Sequence, residues 1–536
     1  MDSLKDTQNS YTVQTQSHPE WPLRNELPIL AFCPIPYSYH KYLNTDQYHD
    51  VLDKIYEYAM QSGIDAVLIG ISGDHIKNQI PVAKQHNINV MPCANGAGGL
   101  GINCYDILCS YLNEKNIVGW FSGDEPLPYQ WGDAFYNEGK DIKSSRTSYW
   151  NQLTLAYGLA SNLDSSRISM FNLAAESNSS WAGSFGIPDD EYRNATLSKK
   201  LEAARAYLDN LNLLFHPLIW SYDYYPIRNK LVKDPNSDKY EAIDGSYDIE
   251  YEKFFGYLGL YQDFTQSCNS EFWTYNMCLY HKLYNNRNWD NLTCSFPAPS
   301  EGALRFETFA ALLYGSKGIV YYRYGLGVSE TDAINPDYNS QDPQAWKYTT
   351  SMESIQAPIS CNIIKNNNTV SDIIVVKSPI WYRVKNINQE IRDFQDIFLG
   401  CTIKGHRQYS SSIPTSFPHS SHLYINSIHL FRGDTKDIDD CISIISCNGY
   451  GVLLTSFTNT KNNSKVRHYV AVMNLDPFNQ KEVSFILKKG ILYPVNHLIQ
   501  PSSRDSETLD KSLSSHNVRH EVVLKEGGIF LVYWDE

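Results

Sequence analysis

The chain has 536 residues and a formal net charge of −14, from 45 basic and 59 acidic residues, and it contains 39 Tyr and 11 Trp. This length exceeds the usual size of one domain, so two or three domains are expected. The acidic balance argues against a nucleic-acid partner, which would require clustered Lys and Arg, but it is compatible with a neutral ligand such as a sugar. The aromatic side chains could stack on sugar rings or simply fill the core, and composition alone favours the core.

Cysteines and terminal segments exclude several further classes of protein. The 11 Cys are odd in number and include no CxxC pair, so neither a disulfide framework nor a structural zinc site is predicted, and no metal or cofactor is implied. No stretch approaches the ~20 apolar residues of a membrane span. Residues 1–26 form a polar tail without an apolar signal-peptide core, which leaves open a cytoplasmic protein and a secreted one whose signal has been removed.

Eight short apolar runs alternate with helix-like segments from residue 27 onward. They are rich in β-branched and aromatic residues and nearly continuously apolar, as are strands buried on both faces of a parallel sheet. The runs cover 27–36, 65–72, 88–94, 117–123, 167–174, 218–226, 271–278 and 318–325. Eight such repeats over roughly 300–350 residues predict a (β/α)8 TIM barrel, an α/β fold.

The pattern changes after the eighth run. Residues 326–376 are polar and predict an insertion or a long loop, and a last helical pattern at 381–400 would close the barrel. From residue 408 strand-like runs with turn signals between them predict an antiparallel, all-β sandwich. The predicted organisation is therefore a tail (1–26), a barrel domain (27–407) and a C-terminal β-sandwich (408–536), with the sandwich as a structural partner of the barrel.

Acidic residues directly follow two of the predicted strands. Asp124 and Glu125 follow the fourth, and Asp223 ends the sixth. Functional residues of such barrels lie at the carboxyl ends of the strands, and glycosidic cleavage requires two carboxyl groups there, one to protonate the leaving oxygen and one to act as base or nucleophile. Glu125 and Asp223 are therefore the predicted catalytic pair for a carbohydrate substrate. Alternatively, Asp124 could cap a helix and Asp223 could anchor a turn.

Further polar and aromatic residues lie in or just after the predicted strands and are candidates for substrate binding. They are Asp124, Trp120, Asn172, Tyr224, Tyr225, Trp273 and Glu301. Because successive side chains of a strand point to opposite faces, about half of the aromatic residues should face the barrel helices. Tyr224 and Tyr225, beyond the end of the sixth strand, are the preferred sugar platforms, whereas Glu301 could instead cap the helix that follows it.

Several phrases of this sequence occur in the same order in a group of bacterial proteins. They are GWFSGDEP, FNL, SYDYYP and EGALRFETFAALLYGSKGIVYYRYG, followed by WYRVKNINQEIRDFQ, HYVAVMNLD and GGIFLVYW. In these phrases the chain resembles bacterial glycoside-hydrolase-like proteins related to the β-galactosidase-like branch of the retaining (β/α)8 clan. The resemblance covers most of 27–536 apart from 326–376. It implies that Glu125 is the acid/base residue and that Asp124 replaces an Asn that contacts the sugar 2-hydroxyl.

One departure from the clan bears on the mechanism. The clan places its nucleophile, a Glu, at the end of the seventh strand, where this sequence has Tyr275, Asn276 and Met277. The second carboxylate would then be Asp223 or a loop acid such as Glu301 or Glu330. Two interpretations follow, a glycosidase and a carbohydrate-binding barrel without turnover.

A glycine motif raises a third interpretation. Gly96, Gly98 and Gly101 follow the third strand with the GxGxxG spacing of a dinucleotide site, and Asp124 follows them at about the distance of a ribose-binding acid. Their place after the third of eight repeated strands favours a plain turn at a barrel mouth. No GxSxG, HExxH or phosphate-binding loop is present.

Overall fold

The computed structural model describes a defined part of the chain. The described residues are 26–32, 45–70, 73–93, 109–124, 157–158, 160–162, 164–174, 194–236, 239–285, 288–327, 357–366, 369–409, 432–447, 449–460, 466–493, 497–499 and 516–535. Within them the helices are α1 (Thr45–Gln61), α2 (Gly73–Gln85), α3 (Leu197–Phe215), α4 (Tyr251–Cys268), α5 (Glu301–Leu313), α6 (Pro379–Phe398) and α7 (Lys436–Cys441). None of these helices has the length and apolar character needed to cross a membrane.

The strands fall into a first set up to residue 327 and a second set beyond residue 358. The first set is β1 (Ile29–Phe32), β2 (Ala66–Gly70), β3 (Asn89–Cys93), β4 (Gly119–Asp124), β5 (Ile168–Ala174), β6 (Ile219–Asp223), β7 (Ile227–Lys233), β8 (Tyr240–Ile249), β9 (Glu271–Met277), β10 (His281–Asn285), β11 (Asn288–Phe296), β12 (Ile319–Tyr322) and β13 (Gly325–Gly327). The second set is β14 (Ile359–Asn366), β15 (Thr369–Lys377), β16 (Cys401–Tyr409), β17 (Arg432–Gly433), β18 (Ile442–Cys447), β19 (Val452–Asn459), β20 (Arg467–Asn474), β21 (Lys481–Leu487), β22 (Ile491–Tyr493), β23 (Leu498–Ile499), β24 (Arg519–Leu524) and β25 (Ile529–Asp535).

Eight parallel strands close into a barrel in the order β1-β12-β9-β6-β5-β4-β3-β2. Each predicted run supplies one of these strands, so the predicted TIM barrel is confirmed. Alternate side chains of the strands fill the barrel interior, and those between them pack against the surrounding helices. The interior side chains include Leu30, Leu68, Met91, Phe121, Met170, Ile219, Trp273 and Val320. Trp273 packs directly on Gly318, where a Cβ atom would lie only 2.6 Å from the indole.

Helix α6 seals the barrel where its first and last strands meet. Ser378 caps the helix by accepting a hydrogen bond from the backbone N–H of Ile380. The Arg392 guanidinium donates to the carbonyl of Leu27 at 2.7 Å and to Asp65 Oδ1 at 2.6 Å. These contacts hold the entries to β1 and β2, as the predicted closing helix requires.

Three barrel strands are followed by additional strands at their carboxyl ends, in two antiparallel hairpins and one small mixed sheet. β7 and β8 form a hairpin after β6, β10 and β11 form one after β9, and β13, β14 and β15 form a small sheet after β12. The two hairpins touch, since Asn229 Nδ2 donates to Ser295 Oγ at 2.9 Å. The segment predicted as an insertion or a long loop at 326–376 contains the strand pair β14–β15, while residues 328–356 lie outside the described part.

The C-terminal region is a β-sandwich, as predicted. A six-stranded sheet, β17-β16-β19-β20-β25-β22, faces a four-stranded sheet, β18-β21-β24-β23. β16 pairs along its length with β19, so the sandwich begins at Cys401 and the predicted boundary at 408 falls inside a strand. A Ser/Pro-rich stretch at 410–421 follows β16 in the sequence and lies outside the described residues.

The six-stranded sheet is buried on both of its faces. Val470 and Phe530 face the second sheet, within one apolar cluster, whereas Phe457 and Leu531 belong to the cluster that includes the barrel helices. Every residue of β19 is buried for this reason. The sandwich therefore packs on the barrel through a continuous core, and the molecule is layered as barrel, first sheet and second sheet.

Candidate functional site

Strand alternation places Asp223 on the inner face of the barrel at its carboxyl end, the mouth. In β6, Ile219 belongs to the interior cluster, whereas Trp220 and Tyr222 pack outside it with the helices. Asp223, two residues beyond Ser221 on the same face, is partly exposed. Asn172 Nδ2 donates to Asp223 Oδ1 at 3.3 Å. The prediction that the sixth strand presents an acid at the mouth thus agrees with its placement.

Asn172 is a buried polar residue whose amide is held between two strands. Its side chain is only 2% exposed. Ser221 Oγ lies 3.4 Å from Asn172 Oδ1, in the geometry of a donated hydrogen bond, and 3.1 Å from the carbonyl of Phe171. Because the carboxylate of Asp223 can only accept, the Asn172 amide must turn its NH2 group toward it. The structure therefore brings together two of the predicted site residues, Asn172 and Asp223.

The end of β4 lies beside the same pair. The Cα atoms of Asp124 and Asn172 are register partners, and Ala174 pairs with Asp223. Asp124 and Asp223 are thus two strands apart and offset by two residues along the strands, so their Cα atoms lie about 12 Å apart at ~4.8 Å per strand and ~3.3 Å per residue. Glu125 follows Asp124 directly but lies outside the described residues, so the distance between its carboxyl group and that of Asp223 stays a prediction.

Four aromatic rings form a row along this mouth. Tyr225 stacks on Tyr322 with a centroid distance of 5.7 Å, and Tyr322 stacks on Phe32 at 5.7 Å. Phe296 of β11 contacts Tyr225 edge to face at 5.8 Å. Phe32, Tyr225 and Tyr322 are partly exposed and pack on the interior cluster. We call Phe32, Tyr322, Tyr225 and Phe296 the aromatic row.

Tyr224 points away from the mouth, unlike its neighbour Tyr225. Its side chain is buried, and its hydroxyl donates to Glu250 Oε2 at 2.7 Å. Its ring packs against Phe254 and Tyr257 of α4. The placement does not support the predicted role of Tyr224 as a sugar platform, because strand-like alternation continues past the end of β6 and sends the two tyrosines to opposite faces.

Three other predicted binding residues also lie away from the mouth. Trp120 packs in the helix layer and donates from Nε1 to Asp164 Oδ2 at 2.9 Å. Trp273 is fully buried in the barrel interior. Glu301 begins α5 and forms an ion pair at 2.6 Å with Arg305. Their contacts are those of core and helix-end residues and do not support substrate binding.

The seventh barrel strand ends without a carboxylate among its described residues. Tyr275 faces the interior cluster, and Asn276 turns outward to donate to Thr308 Oγ1 at 2.8 Å. The backbone N–H of Met277 donates to Glu307 Oε2 of α5 at 3.1 Å. Burial raises the pKa of Glu307 to about 8, so this carboxyl group is mostly protonated at neutral pH. It was missed in the sequence because it lies inside the apolar pattern of its helix.

Other sequence candidates cannot be placed. Gly96, Gly98, Gly101 and Glu330 lie outside the described residues, as does the side chain of Asp124. Within the described part of the chain, no group of three or more His, Cys, Asp or Glu side chains could hold a metal ion.

Comparison with known proteins yields only distant structural likenesses. No protein-family model and no curated protein matches the chain. A family 1 β-glucosidase from Thermotoga maritima is 11% identical over 64% of this chain and 87% of its own, with a TM-score of 0.36. Saccharomyces cerevisiae Gas2p, solved with laminaritriose and laminaritetraose, is 9% identical over 68% of this chain and 65% of its own, with a TM-score of 0.36. Likenesses at this level assign neither a family nor an activity.

Proposed function

We propose that this protein is a glycoside hydrolase that acts on a glycan or oligosaccharide at the mouth of its barrel. The observation that carries the proposal is the position of Asp223, which strand alternation turns to the inner face beside buried Asn172 and the partly exposed rings of the aromatic row. Aromatic faces stack on the apolar faces of sugar rings, and carboxylates and amides accept and donate hydrogen bonds to sugar hydroxyls. Concave sites that combine such groups are typical binding sites for small ligands.

Each proposed residue has a distinct task in hydrolysis. Glu125 protonates the glycosidic oxygen as the bond to the leaving sugar breaks, and Asp223 removes a proton from the water that attacks the opposite face of the ring. Asp124 and Asn172 bind hydroxyl groups of the sugar. Inverting enzymes hold their carboxyl groups ~6.5–9.5 Å apart, and we expect this wider separation because Asp223 is one methylene shorter than the clan's Glu and comes from a different strand.

Replacement of Asp223 tests the proposal. Asp223→Asn keeps the shape and the contact with Asn172 but removes the base, so hydrolysis of an aryl glycoside should fall by ~10²–10⁴-fold. Asp248→Asn, an exposed acid in the neighbouring hairpin, is the matched control and should retain full activity. Equal activity of the Asp223 variant and the control would refute the catalytic role of Asp223.

A carbohydrate-binding barrel without turnover is the second candidate. It is favoured by the end of the seventh strand, where Tyr275 and Met277 face inward in place of the clan's nucleophile. Thermal stabilisation of the protein by a sugar, together with no cleavage of any chromogenic glycoside, would favour this function over hydrolysis.

A further inference from the structure

The chain that leaves β6 alternates its side chains between two environments. Asp223 and Tyr225 lie at the mouth, whereas Tyr224 between them is buried against α4. The orientation of Tyr224 therefore determines whether its two neighbours face the proposed site. The group that holds the Tyr224 hydroxyl is Glu250, at the foot of the β7–β8 hairpin and immediately before α4.

Glu250 binds the chain on both sides of Tyr225. Its Oε2 accepts from the Tyr224 hydroxyl at 2.7 Å and lies 2.8 Å from Arg228 Nη2. Its backbone N–H donates to the carbonyl of Pro226 at 2.9 Å. Lys253 Nζ, one turn into α4, lies 3.0 Å from Oε1. One side chain thus ties the exit of β6 to the hairpin and to the helix.

Glu250 is also connected to the ring of Tyr225 through a chain of side-chain contacts. The Arg228 guanidinium that pairs with Glu250 lies over the ring of Phe296, 5.6 Å from its centroid. Phe296 in turn packs edge to face on Tyr225 at 5.8 Å. Tyr225 is therefore constrained through its own backbone and through its ring contact, and both constraints begin at Glu250.

The charge of Glu250 is maintained by its neighbours. Burial would raise the pKa of Glu250, but Arg228, Lys253 and the Tyr224 hydroxyl outweigh it and keep the pKa below its ordinary value. The carboxylate is therefore ionised at neutral pH and holds Arg228 with a charge-assisted hydrogen bond, which is stronger than a neutral one.

We propose that Glu250 is a positioning residue for the barrel mouth, which holds Tyr224 outward and thereby keeps Asp223 and Tyr225 at the site. This role rests on the proposed glycosidase function, but Glu250 itself touches no substrate. It acts through Tyr224 and Arg228.

Three variants test this role by kinetics. Glu250→Gln removes the charge, Tyr224→Phe removes only the hydroxyl, and Glu252→Gln changes an exposed acid one residue into the same helix as a control. A small misplacement of a catalytic group can cost up to ~10²-fold in rate. We expect kcat per folded molecule to fall by about this factor for Glu250→Gln and by less for Tyr224→Phe, with a much smaller change in KM. The control should match the wild type, and an unchanged kcat for Glu250→Gln overturns the role.

Hydrogen exchange separates this role from the proposed activity. The backbone amides of residues 224–228 should exchange faster in Glu250→Gln than in the wild type and in Glu252→Gln. Pro226 has no backbone N–H and does not contribute to this measurement. Unchanged exchange overturns the positioning role even if kcat falls. If the wild type cleaves no glycoside but Glu250→Gln still exchanges faster, the glycosidase function is overturned. The positioning of residues 224–228 by Glu250 is then still supported.

Discussion

The barrel mouth and the junction between barrel and sandwich both contain buried polar groups, but they arrange them differently. At the junction, Arg305 is 1% exposed and its guanidinium contacts Glu390 at 2.7 Å and the carbonyl of Glu526 at 3.0 Å. His497 Nε2 lies 2.9 Å from Glu390. At the mouth, Asn172 and Asp223 lie beside partly exposed aromatic rings. The charged groups of the junction are thus enclosed by protein partners, whereas the polar pair at the mouth lies beside rings that are partly exposed.

The junction also shows tight contact between the two domains. A Cβ atom at Gly302 of α5 would collide with the carbonyl oxygen of Pro477 in the sandwich. Tyr251 at the start of α4 donates from its hydroxyl to the carbonyl of Leu475 at 2.7 Å. Helices α4 and α5 of the barrel are therefore held in place by the sandwich.

Removal of the sandwich should have the largest effect. Truncation after residue 400 would expose the apolar surface that α4, α5 and α6 now bury against the six-stranded sheet. We expect insoluble protein, because large exposed apolar patches lead to aggregation. Expression followed by separation of soluble and insoluble fractions is the measurement. A soluble and fully active barrel would show that the junction is dispensable.

Loss of one junction charge should be the next largest effect. Arg305→Met keeps the volume but leaves Glu301 and Glu390 without their shared cation. Breaking a buried ion pair from one side costs ~3–5 kcal/mol of the free energy of unfolding. Urea denaturation of Arg305→Met beside Arg407→Met, an exposed control, measures this. Equal destabilisation of both variants would contradict a structural role for the buried cluster.

The junction should also be acid-sensitive through His406. This histidine is buried between Thr455 and Gln262, and burial lowers its pKa to about 3. The unfolded chain, whose histidines titrate near 6.5, then binds more protons than the folded one between about pH 6.5 and 3. Stability should fall as the pH falls through this window, by up to ~1.4 kcal/mol per pH unit.

Denaturation of His406→Gln across this window measures the contribution. Its free energy of unfolding should depend on pH less steeply than that of the wild type, by about one bound proton. An identical slope would show that His406 is not held neutral in the folded protein.

The smallest effect on stability should come from the mouth. Asp223→Asn retains the side-chain volume, and the position is partly exposed, so the free energy of unfolding should change by less than ~1 kcal/mol. Urea denaturation compares it with Arg305→Met. A loss as large as that at Arg305 would place Asp223 among the structural acids and remove the contrast between the two regions.

The sequence predicted the barrel well because strands buried on both faces are nearly continuous apolar runs. It also indicated that Asp223 ends the sixth strand and that Asn172 lies in the fifth, because both belong to predicted strand runs, and their roles at the site stay predictions. It did not separate Tyr224 from Tyr225, because the contact of the Tyr224 hydroxyl with Glu250 joins residues that are far apart in the sequence. The composition of the fourth strand likewise does not show that Trp120 points into the helix layer and donates to Asp164.

Other features were missed because they depend on distant partners. The aromatic row combines rings from β1, β12, β11 and the exit of β6, so no local pattern marks Phe32 or Phe296 as members. The boundary of the sandwich was placed too late because β16 pairs with β19, a strand much further along the chain, as in Cys401 with Asn459. Local composition does not reveal a pairing between residues so far apart in the chain.

The proposed glycoside hydrolysis at the barrel mouth depends on Glu125 as the proton donor, and the leaving-group dependence of Glu125→Gln measures that role. This variant keeps the shape but cannot donate the proton, so hydrolysis of a natural glycoside should fall by ~10²–10⁴-fold. A dinitrophenyl glycoside, whose leaving group needs no protonation, should lose much less. Full activity of Glu125→Gln on a natural glycoside, or equal losses on both substrates, would refute the role of Glu125 as the proton donor.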